Sequence, residues 1–164
     1  KMLFYTKYRL FDEGVEIMIP SDIEPSDFSA PSQNSWLSKD KKTVINVTRG
    51  GEELTDKSLN DRLNEYYKRF CKDISCFQCE KISRRTINRR IYGEIQYLSH
   101  MTSYCFYNIF LLGSYLGSEL VVTIQCMESS RAAYEHIFEN ISDSIRVLRR
   151  QEEAMEGAGY VGKG

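Results

Sequence analysis

The sequence predicts an α+β domain in which an antiparallel β-sheet of about six to seven strands carries two amphipathic helices. Two observations predict this class. Most of the chain consists of short segments in which apolar and polar residues alternate, which is the period of a strand with one buried face. Two longer segments instead place apolar residues three and four positions apart, which is the period of a helix face. Because turns join consecutive strand segments directly, antiparallel pairing is expected, with the two helices flanking the sheet.

Two hairpins are predicted in the first third of the chain. Asp12-Glu13-Gly14 separates the first pair of strand segments, and Pro20 ends the second of them. A stretch rich in Ser, Asp and Pro then predicts a surface loop, and Gly50-Gly51 closes a second hairpin that follows it. The strand segments cover residues 3–10, 15–19, 35–37 and 43–48, and the loop covers residues 21–34.

Each predicted helix has one apolar stripe. The first helix covers residues 55–72, and the second follows Ser129-Ser130 and continues to Leu148. The two stripes are, in chain order, Leu59, Leu63, Tyr66, Tyr67 and Phe70, and then Tyr134, Ile137, Phe138, Ile141, Ile145 and Leu148. The second helix is expected to end in arginines that complement the negative end of its dipole, namely Arg146, Arg149 and Arg150.

A strand-like segment at residues 74–88 and three further strands, at 92–101, 104–112 and 119–127, are predicted between the helices. A loop of residues 113–117 would set the register of the last two strands. One face of this hairpin is then entirely apolar and is expected to face the core, whereas the other mixes polar residues with aromatic rings. The expected core pairs are Leu111 with Leu120, Ile109 with Val122, Tyr107 with Ile124 and Cys105 with Cys126.

The charges of the chain nearly cancel, since Lys and Arg number 22 and Asp and Glu number 23. The net field therefore favours neither nucleic acid nor an anionic membrane. One dense basic run remains as an alternative binding site for nucleic acid or for an acidic protein, although such runs are usually one solvated face of a strand. The run consists of Lys81, Arg84, Arg85, Arg89 and Arg90.

The cysteine spacing of Cys71, Cys76 and Cys79, with Cys105 further on, matches that of plant-type ferredoxins. The surrounding sequence argues against a cluster, because Cys71 ends a predicted helix and Phe77 lies between two of the ligands. We therefore expect free thiols, with no metal and no cofactor. An odd number of cysteines in a chain that needs no disulfides favours a cytoplasmic location, with an exported form left open.

Catalytic groups are few. The chain has two histidines, His100 and His136, and none of the common nucleotide-binding or zinc-protease motifs. The sequence therefore predicts that the protein is not an enzyme. A pair formed by Cys105 and His100 is kept as the enzymatic alternative, because the two lie on neighbouring predicted strands.

The chain is expected to form one domain over residues 1–150, followed by a glycine-rich tail at 151–164. The first residues lack the apolar core of a signal peptide, and no run of eighteen apolar residues occurs. We therefore expect neither a signal peptide nor a membrane span.

The order of two hairpins, a helix, several antiparallel strands and a second helix resembles the PsbP-like α/β/α sandwich family. The segments that carry the resemblance are Phe11–Pro20 (FDEGVEIMIP), Arg90–Tyr97 (RIYGEIQY) and Ile137–Ile145 (IFENISDSI). This family includes the PsbP subunit of photosystem II, a Ran-binding nuclear import factor and the Eag-type chaperones of bacterial type VI secretion. The resemblance implies a three-layer sandwich without a reaction centre that binds or assembles other proteins.

The sequence and the resemblance together predict a non-catalytic protein-binding domain, such as an adaptor or a secretion-associated chaperone. The expected partner is another protein. The two forms considered are an apolar helix of an effector and a second copy of this chain. Aromatic and methionine side chains outside the expected core would form the contact surface. The residues of that surface are Trp36, Tyr104, Phe106, Phe110 and Met127.

Overall fold

A computed structural model describes residues 2–27 and 30–148 of the chain. The predicted tail and two of the predicted helix-end residues, Arg149 and Arg150, lie outside these residues. The described residues form ten strands and two α-helices, with a short 3-10 turn at Glu128–Ser130 before the second helix. The strands are β1 Tyr5–Leu10, β2 Val15–Pro20, β3 Glu24–Pro25, β4 Gln33–Leu37, β5 Val44–Glu53, β6 Gln78–Ile87, β7 Arg90–Met101, β8 Tyr104–Tyr115, β9 Ser118–Met127 and β10 Arg146–Val147. The helices are α1 Leu59–Asp73 and α2 Arg131–Asp143.

Seven strands form one antiparallel sheet in the order β3-β4-β5-β9-β8-β7-β6. The first hairpin forms a separate sheet with the last strand, in the order β1-β2-β10. The predicted α+β class with two amphipathic helices is therefore confirmed, with the strands divided between two sheets. Strand β6 is the long outer strand of the large sheet, and its pairing with β7 is interrupted by a bulge between Cys79 and Lys81.

The main core lies between one face of the large sheet and a layer made of α2 and the small sheet. Phe138 of α2 is fully buried there and stacks on Tyr107 of β8, with their ring centroids 6.2 Å apart. The small sheet supplies three fully buried aliphatic residues, Val15, Ile17 and Ile19. We call this side of the large sheet the α2 side.

Helix α1 packs on the opposite side of the large sheet, over β7 and β8, and we call this the α1 side. Its stripe residue Leu63 lies so close to Gly93 that a β-carbon on the glycine would stand 2.8 Å from a methyl group of Leu63. Glycine at this position therefore lets the helix approach the sheet. Buried Leu59, Leu63 and Phe110 belong to this second core.

The register of the β8–β9 hairpin differs from the prediction by two residues. Ile109 pairs with Ile124 and Tyr107 with Cys126, so that Cys105 does not face Cys126. The strands continue to a two-residue turn, since Leu116 and Gly117 both have positive φ angles, 52° and 81°, which is the geometry of a tight hairpin turn. A shift of two residues keeps every side chain on its face, and the predicted apolar face is buried as expected. Its buried members are Tyr107, Ile109, Leu111, Leu120, Val122, Ile124 and Cys126.

The second helix ends at Asp143, earlier than predicted. The Ser144 hydroxyl donates to the carbonyl of Ile141 and accepts the backbone N–H of Met18. The chain then joins the edge of β2 as β10, so strand pairing replaces the last helical turn. Arg146 consequently lies on the small sheet, 3.8 Å from the Glu16 carboxylate, and does not complement a helix end.

Burial of phenols predicts a loss of stability at high pH. Burial raises the pKa of Tyr92 and of Tyr107 to about 12, against an ordinary value near 10. In that interval the unfolded chain has released protons that the folded chain keeps, so the free energy of unfolding should fall as the pH rises from about 10 to 12. Urea unfolding across this range, with phenolate absorbance followed in parallel, checks this. A free energy of unfolding that stays constant up to about pH 12 would contradict it.

Candidate protein-binding surface

Only part of the α1 side of the large sheet is covered by helix α1 in the described structure. The helix lies over β7 and β8, and its Arg62 and Tyr66 bond to Glu119 at the start of β9. Among the described residues, no helix covers the rest of β9, or β5 and β4, on that side. Burial along β5 differs between the two sides of the sheet. Ile45 and Val47 are fully buried on the α2 side, whereas Val44, Asn46 and Thr48 on the α1 side are each half-buried. We call the uncovered part, together with Met101 at the end of β7 and the first residues of β8, the open face.

The middle of the open face is a row of polar side chains that bond to one another across strands. The Ser35 hydroxyl donates to the side-chain oxygen Oδ1 of Asn46 at 2.6 Å, and the side-chain amide of Asn46 donates to the Thr123 hydroxyl at 3.3 Å. The Gln125 amide likewise donates to the side-chain carbonyl of Asn108 at 2.7 Å. These bonds connect β4, β5, β9 and β8, and they satisfy polar groups that would otherwise depend on water.

One end of the open face is apolar and exposed. Met101 is 68% exposed and Tyr104 is 49% exposed, and the Tyr104 ring lies 6.3 Å from the ring of Phe106. Phe106 pairs directly with Met127 of β9, and both are half-buried. Side chains of this size and exposure on neighbouring strands are typical of a contact surface.

The apolar end continues across β5 and β4 through Val44 and Leu37, which pair with each other. These two residues line a shallow hollow of about 240 Å³, together with Ser26, Gln33, Ser35, Trp36 and Asn46. Leu37, Val44 and Met101 were not identified from the sequence. The signal for Leu37 and Val44 is weak, because each is a single apolar residue on a strand face whose other side chains are polar.

Two residues of the predicted contact surface lie in the interior. Trp36 is 2% exposed and packs edge-on against Tyr8, with ring centroids 5.2 Å apart. Phe110 is 3% exposed beneath α1, with its ring centroid 4.9 Å from that of Tyr66 and 5.1 Å from that of Phe70. Of the five predicted residues, the structure therefore brings three together at the surface, namely Tyr104, Phe106 and Met127.

The structure does not bring the predicted basic run together on one face. Arg84 is exposed on the α1 side, while its neighbour Arg85 is mostly buried on the α2 side and bonds to Glu94, Glu139 and Asp143. Alternation along a strand is the cause, because consecutive side chains point to opposite faces. The other two arginines, Arg89 and Arg90, lie at the turn between β6 and β7.

His100 and Cys105, the enzymatic alternative, occupy directly paired positions on β7 and β8. Burial raises the pKa of the Cys105 thiol, and the carboxylates of Glu128 and Glu80 raise it further. A thiol whose pKa is raised is a weak nucleophile, because the thiolate is the reactive form. Within residues 2–27 and 30–148, no group of three or more His, Cys, Asp and Glu is arranged to hold a metal ion. No helix in the same ranges is long and apolar enough to cross a membrane.

Neither a protein-family model nor a curated protein matches the sequence. Solved structures do match the fold. Cyanobacterial PsbP (CyanoP) from Synechocystis sp. PCC 6803 superposes with a TM-score of 0.66 at 10% identity, over 90% of this chain and 95% of that protein. The Ran-binding protein Mog1p of Saccharomyces cerevisiae gives 0.57 at 8% identity, over 89% and 96%. Protein PA94 of Pseudomonas aeruginosa gives 0.57 at 14% identity, over 85% and 94%. The resemblance seen in the sequence is confirmed as a likeness of fold.

Proposed function

We propose that this chain, which has the PsbP-like fold, is a non-catalytic protein-binding domain that receives an amphipathic helix of its partner on the open face. The single observation that carries the proposal is the uncovered part of the α1 side, with Tyr104, Phe106 and Met127 exposed or half-buried at its end. The fold likeness to Mog1p, a Ran-binding protein, supports a binding role.

The width of the open face favours one helix as the occupant. Neighbouring strands lie about 4.8 Å apart, so β9, β5 and β4 together present a strip about 14 Å wide. A helix with its side chains is about 10–12 Å in diameter, so a single helix fits beside α1. An added strand is a poorer fit, because strands are added at a sheet edge and the open face presents side chains.

The chemistry of the open face defines the partner helix. Its apolar residues would contact Met101, Tyr104, Phe106 and Met127 at one end of the face. Polar residues further along the helix would lie over the bonded row that contains Asn46, where they can exchange hydrogen bonds with it. This matches an amphipathic segment better than a wholly apolar one. An adaptor or a secretion-associated chaperone would use such a face, and the five free cysteines are compatible with a cytoplasmic setting.

The proposal predicts that a double substitution, Tyr104→Ser with Met127→Ser, abolishes partner retention without unfolding the protein. Truncating two large contact residues of an interface commonly costs more than tenfold in affinity. Tagged wild type and variant are used to capture proteins from the native host, and quantitative mass spectrometry compares what each retains. We expect one or a few proteins to be depleted at least about tenfold by the variant.

A matched control is Ile82→Ser, since Ile82 is 40% exposed on β6, away from the open face. It should retain the same proteins as wild type. If Ile82→Ser lost the same proteins as the double variant, or if the double variant retained them all, the proposed contact would be refuted.

Light scattering after size-exclusion chromatography distinguishes a homodimer from binding to another protein. A second copy on the open face would make the wild type dimeric and the double variant monomeric.

A further inference from the structure

A second surface, distinct from the open face, brings arginines from two chain segments around one hollow. The hollow has a volume of about 490 Å³ and lies between the β6–β7 turn and strand β10. We call it the arginine pocket. Its lining residues are Asn88, Arg89, Arg90, Arg146, Val147 and Leu148.

The backbone around the arginine pocket is held in place from both sides. Asn88 and Arg89 form a two-residue turn, with φ angles of 45° and 69°. The side-chain amide of Asn88 donates to the carbonyl of Ile145 at 2.7 Å and to that of Asp143 at 3.1 Å. These bonds fix the turn against the residues that lead into β10. The arginines therefore extend from fixed points of the fold, which lowers the entropy lost on binding.

Arg146 shares its acidic partner among the described residues with two other cations. The partner is Glu16, whose oxygen is 3.8 Å from the Arg146 guanidinium and which also lies within 3.6 Å of Lys7 and Arg9. One carboxylate is thus shared by three cations. The Asp143 side chain is bound to Arg85. A guanidinium group that shares one carboxylate with other cations can attract a further carboxylate and pair with it through two parallel hydrogen bonds.

We infer that the arginine pocket binds an acidic peptide segment of a partner protein. Carboxylates of the peptide contact Arg89 and Arg146, and an apolar side chain next to them packs on Val147 and Leu148. The volume of the arginine pocket is large enough for a ligand larger than one small anion. Its lining combines guanidinium and aliphatic groups, which suits a peptide with alternating acidic and apolar residues. This binding uses residues that the open face does not, so it adds a second contact to the proposed function.

Fluorescence anisotropy with the full chain tests the inference. The probe is a short fluorescein-labelled peptide of glutamates interspersed with leucines, and the matched probe has glutamine in place of glutamate. We expect the glutamate peptide to bind at low salt and to weaken as salt is added, and the glutamine peptide to bind at least about tenfold more weakly. The double substitution Arg89→Ala with Arg146→Ala should lower the affinity for the glutamate peptide about tenfold, since each exposed ion pair contributes about a few-fold to the affinity.

Arg84→Ala is the control, because it removes the same charge from β6 on the α1 side. It should bind like wild type, as should the Tyr104→Ser, Met127→Ser variant. In amide NMR spectra, the peptide should shift the signals of Asn88 and Val147. Equal binding of both peptides, an equal loss with Arg84→Ala, or tighter binding of a single-stranded oligonucleotide than of the peptide would each overturn the inference.

Discussion

Replacement of Arg85 by alanine should lower the free energy of unfolding by about 3 kcal/mol, because it leaves a buried carboxylate without its main partner. The Arg85 guanidinium lies 2.8 Å from oxygens of Glu94, Glu139 and Asp143. The Glu94 side chain is fully buried, whereas the other two acids are partly exposed. Most of the loss should therefore come from Glu94. Lys81 is 3.4 Å from the second oxygen of Glu94 and limits the loss.

In the wild type, the Arg85 guanidinium stays protonated and keeps its charge. Burial acts to lower the pKa of its guanidinium, but hydrogen bonds to Asp143 and Glu94 outweigh burial, and the pKa is raised. The cluster thus keeps its charges at every accessible pH at which the acids are ionised. The cluster also connects β6 to α2, because Glu139 and Asp143 lie on α2.

Urea unfolding measures the effect, and the neighbouring residue supplies the control. Arg84→Ala removes an exposed arginine from the same strand and should change stability by less than about 0.5 kcal/mol. Replacing both partners, with Arg85→Met and Glu94→Leu, should recover most of the loss, because no buried charge is then left unpaired. A loss for Arg85→Ala no larger than that for Arg84→Ala would show that Glu94 is solvated in the folded protein.

Gly113→Val should lower the free energy of unfolding by about 3 kcal/mol. A β-carbon at this position would stand 2.4 Å from a ring carbon of Tyr92, which lies on β7 and is 1% exposed. The ring belongs to the main core, so moving it would displace other buried side chains. Valine is otherwise favoured over glycine in a strand, so destabilisation here reports the contact with the ring.

A double-mutant cycle separates this contact from other effects of the substitution. Tyr92→Leu opens space beside Gly113, so adding Gly113→Val to it should cost clearly less than adding Gly113→Val to the wild type. We expect a coupling of at least about 1 kcal/mol, measured by urea unfolding, and a changed near-ultraviolet circular dichroism signal for Gly113→Val alone. Additive losses would mean that the ring of Tyr92 does not lie over Gly113.

The elements with a strong period could be predicted from the sequence. The stripe of Leu59, Leu63 and Phe70 is long enough to define α1, and alternation defined β7, β8 and β9 within a few residues. The error in the β8–β9 register has a local cause. Gly113 looks like a turn residue in the sequence, but it lies within β8 because the ring of Tyr92 occupies the space of a side chain.

Features that depend on distant parts of the chain could not be predicted. The end of α2 is set by pairing between β10 and β2, whose positions in the sequence are far apart. Whether Phe110 is exposed depends on which strands α1 covers. The apolar stripe of α1 predicts that the helix packs on the sheet, but it does not predict over which strands. Alternation along the strand could have predicted that Arg84 and Arg85 lie on opposite faces of the sheet. It could not have predicted the acids around Arg85, because these come from α2 and β7.

The bulge between Cys79 and Lys81 has a consequence for the behaviour of the protein in concentrated solution. Strand β6 is ten residues long and ends the large sheet, so its outer edge could template the sheet of another molecule. The bulge distorts that edge, and the exposed side chains of Lys81 and Arg84 give the strand a positive charge that repels the same strand of a second molecule. Growth of the sheet from molecule to molecule is thereby discouraged.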